Sequence, residues 1–167
     1  MLEFSLHCRP EAALSLSEFL WDLPSPFTIR LQVTPEDIDG MSHVNNACYI
    51  VWCEQCAWRH SEALGLTVQD YQQLNRGVAI RQAHYDYFAP GLVDDPLVIA
   101  TWLTECDGKL RLQRRFQICH AKSGITLMRG HWNLICINVE TGKPTRFPQT
   151  FIEIYGNAVI RAEDSKA

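Results

Sequence analysis

The stretch from 46 to 64, NACYIVWCEQCAWRHSEAL, carries the longest helical pattern in the sequence and decides the fold prediction. Its small and apolar residues recur every three or four positions, so they share one helical face. The predicted face comprises Ala47, Ile50, Cys53, Ala57, Ser61 and Leu64. Gly65 follows directly, and glycine is common just after a helix because it accepts positive φ. The sequence therefore predicts one long helix from Asn46 to Leu64.

Five strand-like runs flank this helix. Before it, Phe27, Ile29, Leu31 and Val33 alternate with polar residues, which is typical of a half-buried strand. After it, the predicted strands are Val78–Phe88, Leu97–Thr104, Leu110–His120 and Ile125–Val139. Turn residues separate these runs, and Asp107-Gly108 predicts a two-residue hairpin turn. Short turns imply antiparallel pairing, so we expect an α+β fold with a curved antiparallel sheet wrapped around one helix.

The chain divides into one domain with two extensions. Its 167 residues fit a single domain, which we place at 27–160. The segment 1–26 forms an N-terminal arm, broken off by Leu23-Pro24-Ser25-Pro26. The end, 161–167, forms a polar tail.

Composition excludes several classes of protein. A net charge of −4 argues against nucleic-acid binding, which needs clustered Lys and Arg. No apolar run approaches the roughly 20 residues of a membrane helix, and Glu3, Arg9 and Glu11 interrupt any signal sequence. Seven cysteines, an odd number, fit reduced thiols. We therefore expect a cytoplasmic protein that binds neither membrane nor nucleic acid.

The loop from Asp37 to Asn46 concentrates the polar chemistry of the chain. It places two carboxylates, an imidazole and two amides just before the helix. Helix N-terminal N–H groups lack intrahelical partners and can stabilise an oxyanion, while a nearby carboxylate attacks or activates water. Asp and Asn are also the preferred helix caps, so turn-and-cap chemistry alone is the alternative interpretation.

The string D-x-D-x-x-x-H-V-N-N-x-x-Y-x-x-W-x-E, from Asp37 to Glu54, resembles the signature of hot-dog fold thioesterases. It is similar to that of the 4-hydroxybenzoyl-CoA thioesterase-like acyl-CoA thioesterases, and partly to that of plant acyl-ACP thioesterases. The likeness extends from Phe27 to Pro148, because the order of predicted elements is also the hot-dog order. The resemblance implies a single hot-dog domain that hydrolyses an acyl-CoA thioester to free acid and CoA, without a metal or organic cofactor.

The resemblance also implies roles for individual residues of the loop. Asp39 is the catalytic carboxylate, either as nucleophile or as general base on water. The backbone N–H of Asn46 is the oxyanion donor. His43 orients Asp39 or water, or polarises the carbonyl, unless it is a structural histidine. Asp37 is a turn or capping residue, and Ser42 stands where many family members have glycine.

Three further residues are candidates for substrate binding. Glu54 matches a recurrent acid on the helix, which holds water or pairs with a strand residue at the substrate site, unless it only makes a buried structural hydrogen bond. Lys109 and Arg111 lie where family members place CoA-contacting basic residues, unless they only belong to a solvated strand face. A lone hot-dog sheet leaves an exposed edge, so we expect a homodimer or homotetramer with the active site between protomers.

Two other functions stay open at this stage. An acyl-ACP thioesterase would need a basic surface for its acidic carrier, which the net charge of −4 does not favour. A non-catalytic acyl-CoA-binding protein is the second, since fold alone does not fix function. Cys53-x-x-Cys56 has no second ligand pair in the sequence, so we interpret these cysteines as core residues rather than a metal site.

Overall fold

The computed structural model describes residues 14–160, in which a five-stranded sheet packs against one long helix. The helices are α1 (Asn46–Ala63), α2 (Val68–Gln73) and α3 (Gln149–Asn157). The strands are β1 (Phe27–Gln32), β2 (Arg76–Tyr87), β3 (Pro96–Cys106), β4 (Arg111–His120) and β5 (Thr126–Asn138).

The strands lie in the order β1-β3-β4-β5-β2, and every neighbouring pair is antiparallel. This confirms the predicted α+β architecture of a curved antiparallel sheet around a helix. β1 and β2 are the two edge strands, and β2 is twice as long as β1, with 12 residues against 6. The sheet therefore has one long edge that carries no further strand within the described residues.

The buried face of α1 differs from the predicted one. Its buried residues are Tyr49, Trp52, Cys53, Cys56 and Ser61, of which Cys53 and Ser61 belong to the predicted face. Ala47 is exposed, and Ile50 is 37% exposed. Large aromatic side chains bury more apolar area than Ala or Ile, so packing turns Tyr49 and Trp52 towards the sheet. The prediction found the helix but was wrong about part of its orientation.

The end of α1 and one hairpin test two turn predictions. Gly65 follows the helix with φ +94° and donates its N–H to the Glu62 carbonyl, which confirms it as the terminating glycine. The prediction of a two-residue hairpin turn at Asp107-Gly108 is wrong, because four residues separate β3 from β4. Oδ1 of Asp107 accepts three backbone N–H groups there. Partial burial alone would raise the pKa of Asp107, but these hydrogen bonds hold it below its ordinary value.

Helices α2 and α3 were not predicted. Both are short, and α3 contains the short, mostly apolar run FIEIY, which does not distinguish a helix from a strand. In the structure Phe151 and Tyr155, four residues apart, are buried against the core. Pro148 stands at the N-cap of α3.

The outer face of the sheet is covered by the described part of the predicted arm. Phe19 and Trp21 stack at 4.8 Å, and Trp21 contacts Trp102 of β3 edge-on. The indole N–H of Trp102 donates to the Pro24 carbonyl at 2.8 Å. β3 is therefore buried on both faces, which explains its nearly continuous apolar sequence.

Within residues 14–160, no helix has both the length and the apolar character that a membrane crossing requires.

Candidate active site

Three segments meet at one end of the sheet: the loop before α1, the first turn of α1, and the chain after β2. Val44 N–H donates to the Gly91 carbonyl at 2.9 Å, and Phe88 N–H donates to the Leu127 carbonyl at 2.8 Å. These hydrogen bonds fix the loop against the ends of β2 and β5. Between the segments lies an open cleft of about 380 Å³. It is lined by Asp39, Met41, His43, Val44, Asn46, Tyr49, Tyr87, Phe88, Ala89 and Pro90.

The Asp39 carboxylate is exposed in this cleft and held on one side only. Its Oδ1 accepts the backbone N–H groups of Met41 at 2.8 Å and His43 at 3.4 Å. Its Oδ2 makes no hydrogen bond within the described residues. One oxygen thus fixes the orientation of the carboxylate, while the other remains available to a ligand or water.

The first turn of α1 presents an unused backbone donor to the same cleft. Asn45 is the N-cap, and its side chain accepts the Ala47 N–H at 2.9 Å. The Asn46 N–H has no acceptor among the residues that the structure describes. The helix dipole adds partial positive charge at this point, so an oxyanion would be stabilised there. Asp39 and Asn46 therefore line the same cleft.

The other polar residues of the loop take different positions. The His43 side chain is exposed and lines the cleft, and its ring has no hydrogen-bond partner in the part of the chain described. The Asp37 carboxylate accepts the Thr34 backbone N–H at 2.8 Å and its hydroxyl at 2.9 Å. Asp37 therefore caps a short turn, in agreement with its interpretation as a capping residue.

Glu54, Lys109 and Arg111 lie away from the cleft of their own protomer. Glu54 is eight residues beyond Asn46, about 12 Å along the helix axis. It is exposed and makes no hydrogen bond within residues 14–160, so no structural hydrogen bond is observed there. Lys109 and Arg111 are exposed at the opposite end of the sheet. Along β5, eight residues separate Leu127 beside the cleft from Ile135 beside Arg111, which is about 26 Å.

The sequence analysis did not identify the aromatic wall of the cleft. The rings of Tyr49 and Tyr87 are 5.6 Å apart and edge-on, and the Tyr87 hydroxyl donates to the Asn46 carbonyl at 3.3 Å. Phe88 follows directly and is largely exposed. Only the antiparallel register brings the end of β2 beside the start of α1, so local sequence gave no signal for this contact.

Gly91 anchors the loop by close approach, and we expect Gly91→Ala to be destabilising. A Cβ there would lie 3.0 Å from Val44 Cγ2 and 3.1 Å from Tyr49 Oη. Displacing these side chains should cost about 1–3 kcal/mol in the free energy of unfolding. Denaturant unfolding measures this change. Gly40→Ala, in the same region but with no atom within 4 Å of the added Cβ, is the control and should cost less. Equal effects of the two changes would refute this role of Gly91.

Ser42 adopts a left-handed backbone with φ +62°, which explains why glycine suits this position. We expect Ser42→Val to lower the free energy of unfolding by about 1–2 kcal/mol, because β-branched residues tolerate this region poorly. Ser42→Gly should not be destabilised in this way. Thermal unfolding of both variants tests the expectation, and a Val variant as stable as the Gly variant would contradict it.

Cys53 and Cys56 are core residues, as the sequence analysis interprets them. Both are buried, and burial raises the pKa of Cys56 to about 12 and that of Cys53 well above its ordinary value. Their thiols therefore stay protonated at neutral pH. Across residues 14–160, no three His, Cys, Asp or Glu side chains are grouped so that they could hold a metal ion.

Solved structures share this fold. The 1,4-dihydroxy-2-naphthoyl-CoA thioesterase of Synechocystis superposes with a TM-score of 0.71 at 22% identity, over 80% of this chain and 97% of its own. A Staphylococcus aureus protein solved in complex with CoA superposes with a TM-score of 0.74 at 20% identity, over 81% of this chain and 85% of its own. The DHNA-CoA thioesterase of Staphylococcus aureus superposes with a TM-score of 0.73 at 19% identity, over 79% of this chain and 89% of its own. Identities this low establish the fold alone.

The family is shown by sequence. No curated protein matches the chain significantly. The family model of the Thioesterase-like superfamily matches residues 33–154, which include the loop motif, α1 and all four strands after it. The chain therefore belongs to the Thioesterase-like superfamily and is a thioester hydrolase with a hot-dog fold.

Proposed function

We propose that the protein hydrolyses an acyl-CoA thioester to a free acid and CoA in the Asp39 cleft. The observation that carries this proposal is the joint presence of a half-free carboxylate and an unused helix N-terminal N–H, Asn46, in one cleft. The similar protein solved with CoA, and the similar proteins named as acyl-CoA thioesterases, support CoA as the carrier.

Two chemical routes use the free oxygen of Asp39. As a general base, Asp39 takes a proton from water while the water oxygen bonds to the thioester carbonyl carbon. As a nucleophile, its Oδ2 bonds to that carbon and forms a mixed anhydride, which water then cleaves. In both routes the carbonyl oxygen becomes an oxyanion on the Asn46 N–H, the C–S bond breaks, and CoA leaves as a thiolate that is then protonated.

Isotope labelling identifies the nucleophilic route when water cleaves the anhydride at the Asp39 carbon. In a single turnover in heavy-oxygen water, the base route places the label in the acid. The nucleophilic route leaves the first acid unlabelled when water attacks the Asp39 carbon, and places the label in the protein. In mass spectrometry, unlabelled acid together with labelled protein therefore assigns Asp39 as the nucleophile, whereas labelled acid is formed both by the base route and by attack of water on the acyl carbon of the anhydride.

In the proposed reaction, His43 orients water or polarises the thioester carbonyl. Its exposed ring lines the cleft, which supports direct contact with bound substrate. The aromatic wall of Tyr87 and Phe88 would pack against the thioester and exclude water from it. Exclusion of water strengthens the interaction of the oxyanion with the Asn46 N–H.

We propose that the working form is a homodimer or homotetramer with the active site between protomers. β2 is a long edge strand, and its residues 80–84 are all exposed. Such an edge is prone to pair with another strand. Lys109, Arg111 and Glu54 lie too far from their own cleft to contact the reacting group, so a neighbouring copy would receive them.

We further propose a cytoplasmic enzyme that needs no metal or organic cofactor. The six cysteines within residues 14–160 are all free thiols, which supports a reducing compartment. Hydrolysis requires only water, a carboxylate and an oxyanion donor, and the cleft offers the last two.

A comparison of the two acyl carriers, CoA and acyl carrier protein, tests the proposal. The same acyl group is offered on CoA and on acyl carrier protein, and kcat/KM is compared. We expect the acyl-CoA to be turned over with the higher kcat/KM, because the net charge of −4 opposes docking of an acidic carrier. A higher kcat/KM for the carrier-protein substrate would make the protein an acyl-ACP thioesterase instead.

A further inference from the structure

An ion pair joins the N-terminal arm to the outer face of the sheet. The Asp22 carboxylate accepts the Nε–H of Arg129 at 2.6 Å and its Nη2–H at 2.8 Å, one hydrogen bond on each oxygen. Both side chains are partly shielded from water, with 28% of Asp22 and 39% of Arg129 exposed. Two parallel hydrogen bonds fix the direction of a guanidinium as well as its distance. Asp22 therefore determines where the Arg129 charge lies.

A buried glutamine holds the backbone of the arm in this position. Gln117 of β4 stands opposite Arg129 in the register of β4 with β5 and is fully buried. Its Oε1 accepts the Asp22 backbone N–H at 2.9 Å, and its Nε2 donates to the Leu20 carbonyl at 3.1 Å. The arm thus satisfies both ends of the amide, as a buried polar side chain requires. These bonds do not involve the Asp22 carboxylate, so a change of that carboxylate leaves them in place.

The Arg129 guanidinium also packs on a residue of the Asp39 cleft. Its Cζ lies 5.0 Å from the centroid of the Phe88 ring, and a cation at this distance is attracted by the negative face of the ring. Phe88 lines the cleft and is 55% exposed. Its neighbour Tyr87 is held edge-on by Tyr49, whereas the Phe88 ring forms no aromatic pair within residues 14–160. The orientation of Phe88 therefore depends on its contact with Arg129.

A second carboxylate competes for Arg129. Asp86 of β2 stands opposite Arg129 in the register of β2 with β5, and its own ion pair is with His84 at 3.1 Å. The hydrogen bonds and charge of Asp22 raise the pKa of Arg129, and the charge of Asp86 raises it further. Opposite charges attract across neighbouring strands. Without the Asp22 charge, Asp86 would draw the guanidinium away from Phe88.

We propose that Asp22 is a positioning residue for the Asp39 cleft. It holds Arg129 against Phe88, and Phe88 forms a wall on which the acyl thioester packs. Asp22 precedes residue 33, where the match to the family model begins, so the arm adds this contact from outside the matched region. The inference rests on the proposed function of the cleft, and one of its two tests requires no turnover.

Steady-state kinetics of Asp22→Asn is the first test. Asparagine keeps the size of the side chain but loses the charge and one of the two hydrogen bonds. For the acyl-CoA that the wild type turns over fastest, kcat/KM should fall about two- to fivefold, which corresponds to a cation–π contact at an exposed site. Arg129→Met, which removes the cation, should cause a similar fall. Glu18→Gln is the matched control, because this carboxylate of the same arm accepts its hydrogen bonds from Ser15. It should leave kcat/KM unchanged.

A double-mutant cycle with Phe88→Leu separates positioning of the ring from a general effect of the arm. Without the ring, Arg129 has no cleft residue to orient, so Asp22→Asn should not lower kcat/KM further in the Phe88→Leu background. An effect of Asp22→Asn that is equally large in both backgrounds would overturn the proposal. Unchanged kcat/KM in both Asp22→Asn and Arg129→Met would also overturn it.

Fluorine NMR is the second test and observes the ring without turnover. The seven phenylalanines are replaced by a fluorinated phenylalanine, and the signal lost in Phe88→Leu is assigned to Phe88. We expect Asp22→Asn to shift this signal and Glu18→Gln to leave it in place. An unshifted Phe88 signal in Asp22→Asn would overturn the proposal. A wild type that cleaves no acyl-CoA would refute the proposed function instead, and the fluorine signal would still decide whether Asp22 positions Phe88.

Discussion

Asp39→Asn should lower kcat for thioester hydrolysis by about 10²- to 10⁴-fold. Asparagine keeps the size of the side chain and can still accept the Met41 N–H through its amide oxygen. It cannot take a proton from water, and it is a poor nucleophile. KM should change little, because the cleft keeps its shape. Steady-state kinetics with chromatographic detection of the acid measures both quantities and avoids thiol reagents that the cysteines of the protein would consume.

Asp37→Asn is the control for Asp39→Asn. Both residues are carboxylates of the same loop, but Asp37 caps Thr34 and does not line the cleft. Its replacement should weaken the turn and leave kcat near the wild-type value in folded protein. A full rate for Asp39→Asn would remove Asp39 from the mechanism. An equal loss in both variants would assign the effect to loop structure instead.

Ile80→Glu should dissociate the oligomer and with it abolish most activity. Ile80 lies in the middle of the β2 edge and is 47% exposed in the isolated chain. If two edges pair, each glutamate would be buried without a partner, at a cost of about 3 kcal/mol or more per interface. Light scattering should then give the single-chain mass of 19.1 kDa in place of a multiple of it.

Ile125→Glu provides the comparison for Ile80→Glu. Ile125 is 58% exposed and lies outside the long edge of the sheet, just before β5. The same change there should leave both mass and activity intact. Wild-type protein that is active as a monomer, or an Ile80→Glu variant that keeps its mass, would contradict the placement of the interface at β2.

Local pattern was sufficient for most of the fold. The five strands and α1 follow from alternation and helical spacing, and their short connections imply antiparallel pairing. The helix face was less predictable, because Tyr49 and Trp52 compete with Ile50 for the sheet and only packing decides between them. The prediction of the turn at Asp107 was wrong for a similar reason. Its side chain binds three N–H groups and stabilises a longer loop than the Asp-Gly pair implies.

The residues of the candidate site were likewise predictable from the sequence only in part. Asp39 and Asn46 are close in sequence, so the loop motif was enough to place them together. Tyr87, Phe88 and Gly91 reach the cleft only through the register of β2 with β5 and through the contact of Gly91 with Val44. The buried charge of Arg114 was hidden for a different reason. It stands between Gln113 and Arg115, and three consecutive polar residues resemble a solvated strand face, although the alternation with Leu112 and Phe116 places Arg114 on the buried side.

The release of acid and CoA from a panel of acyl-CoAs by the wild-type protein tests the central claim most directly. Both products are quantified by chromatography, with aromatic, branched, hydroxylated and long-chain acyl groups in parallel. The account predicts that at least one acyl class is cleaved catalytically, with acid and CoA formed in equal amounts. Tight binding of acyl-CoA without release of acid, across the whole panel, would contradict it.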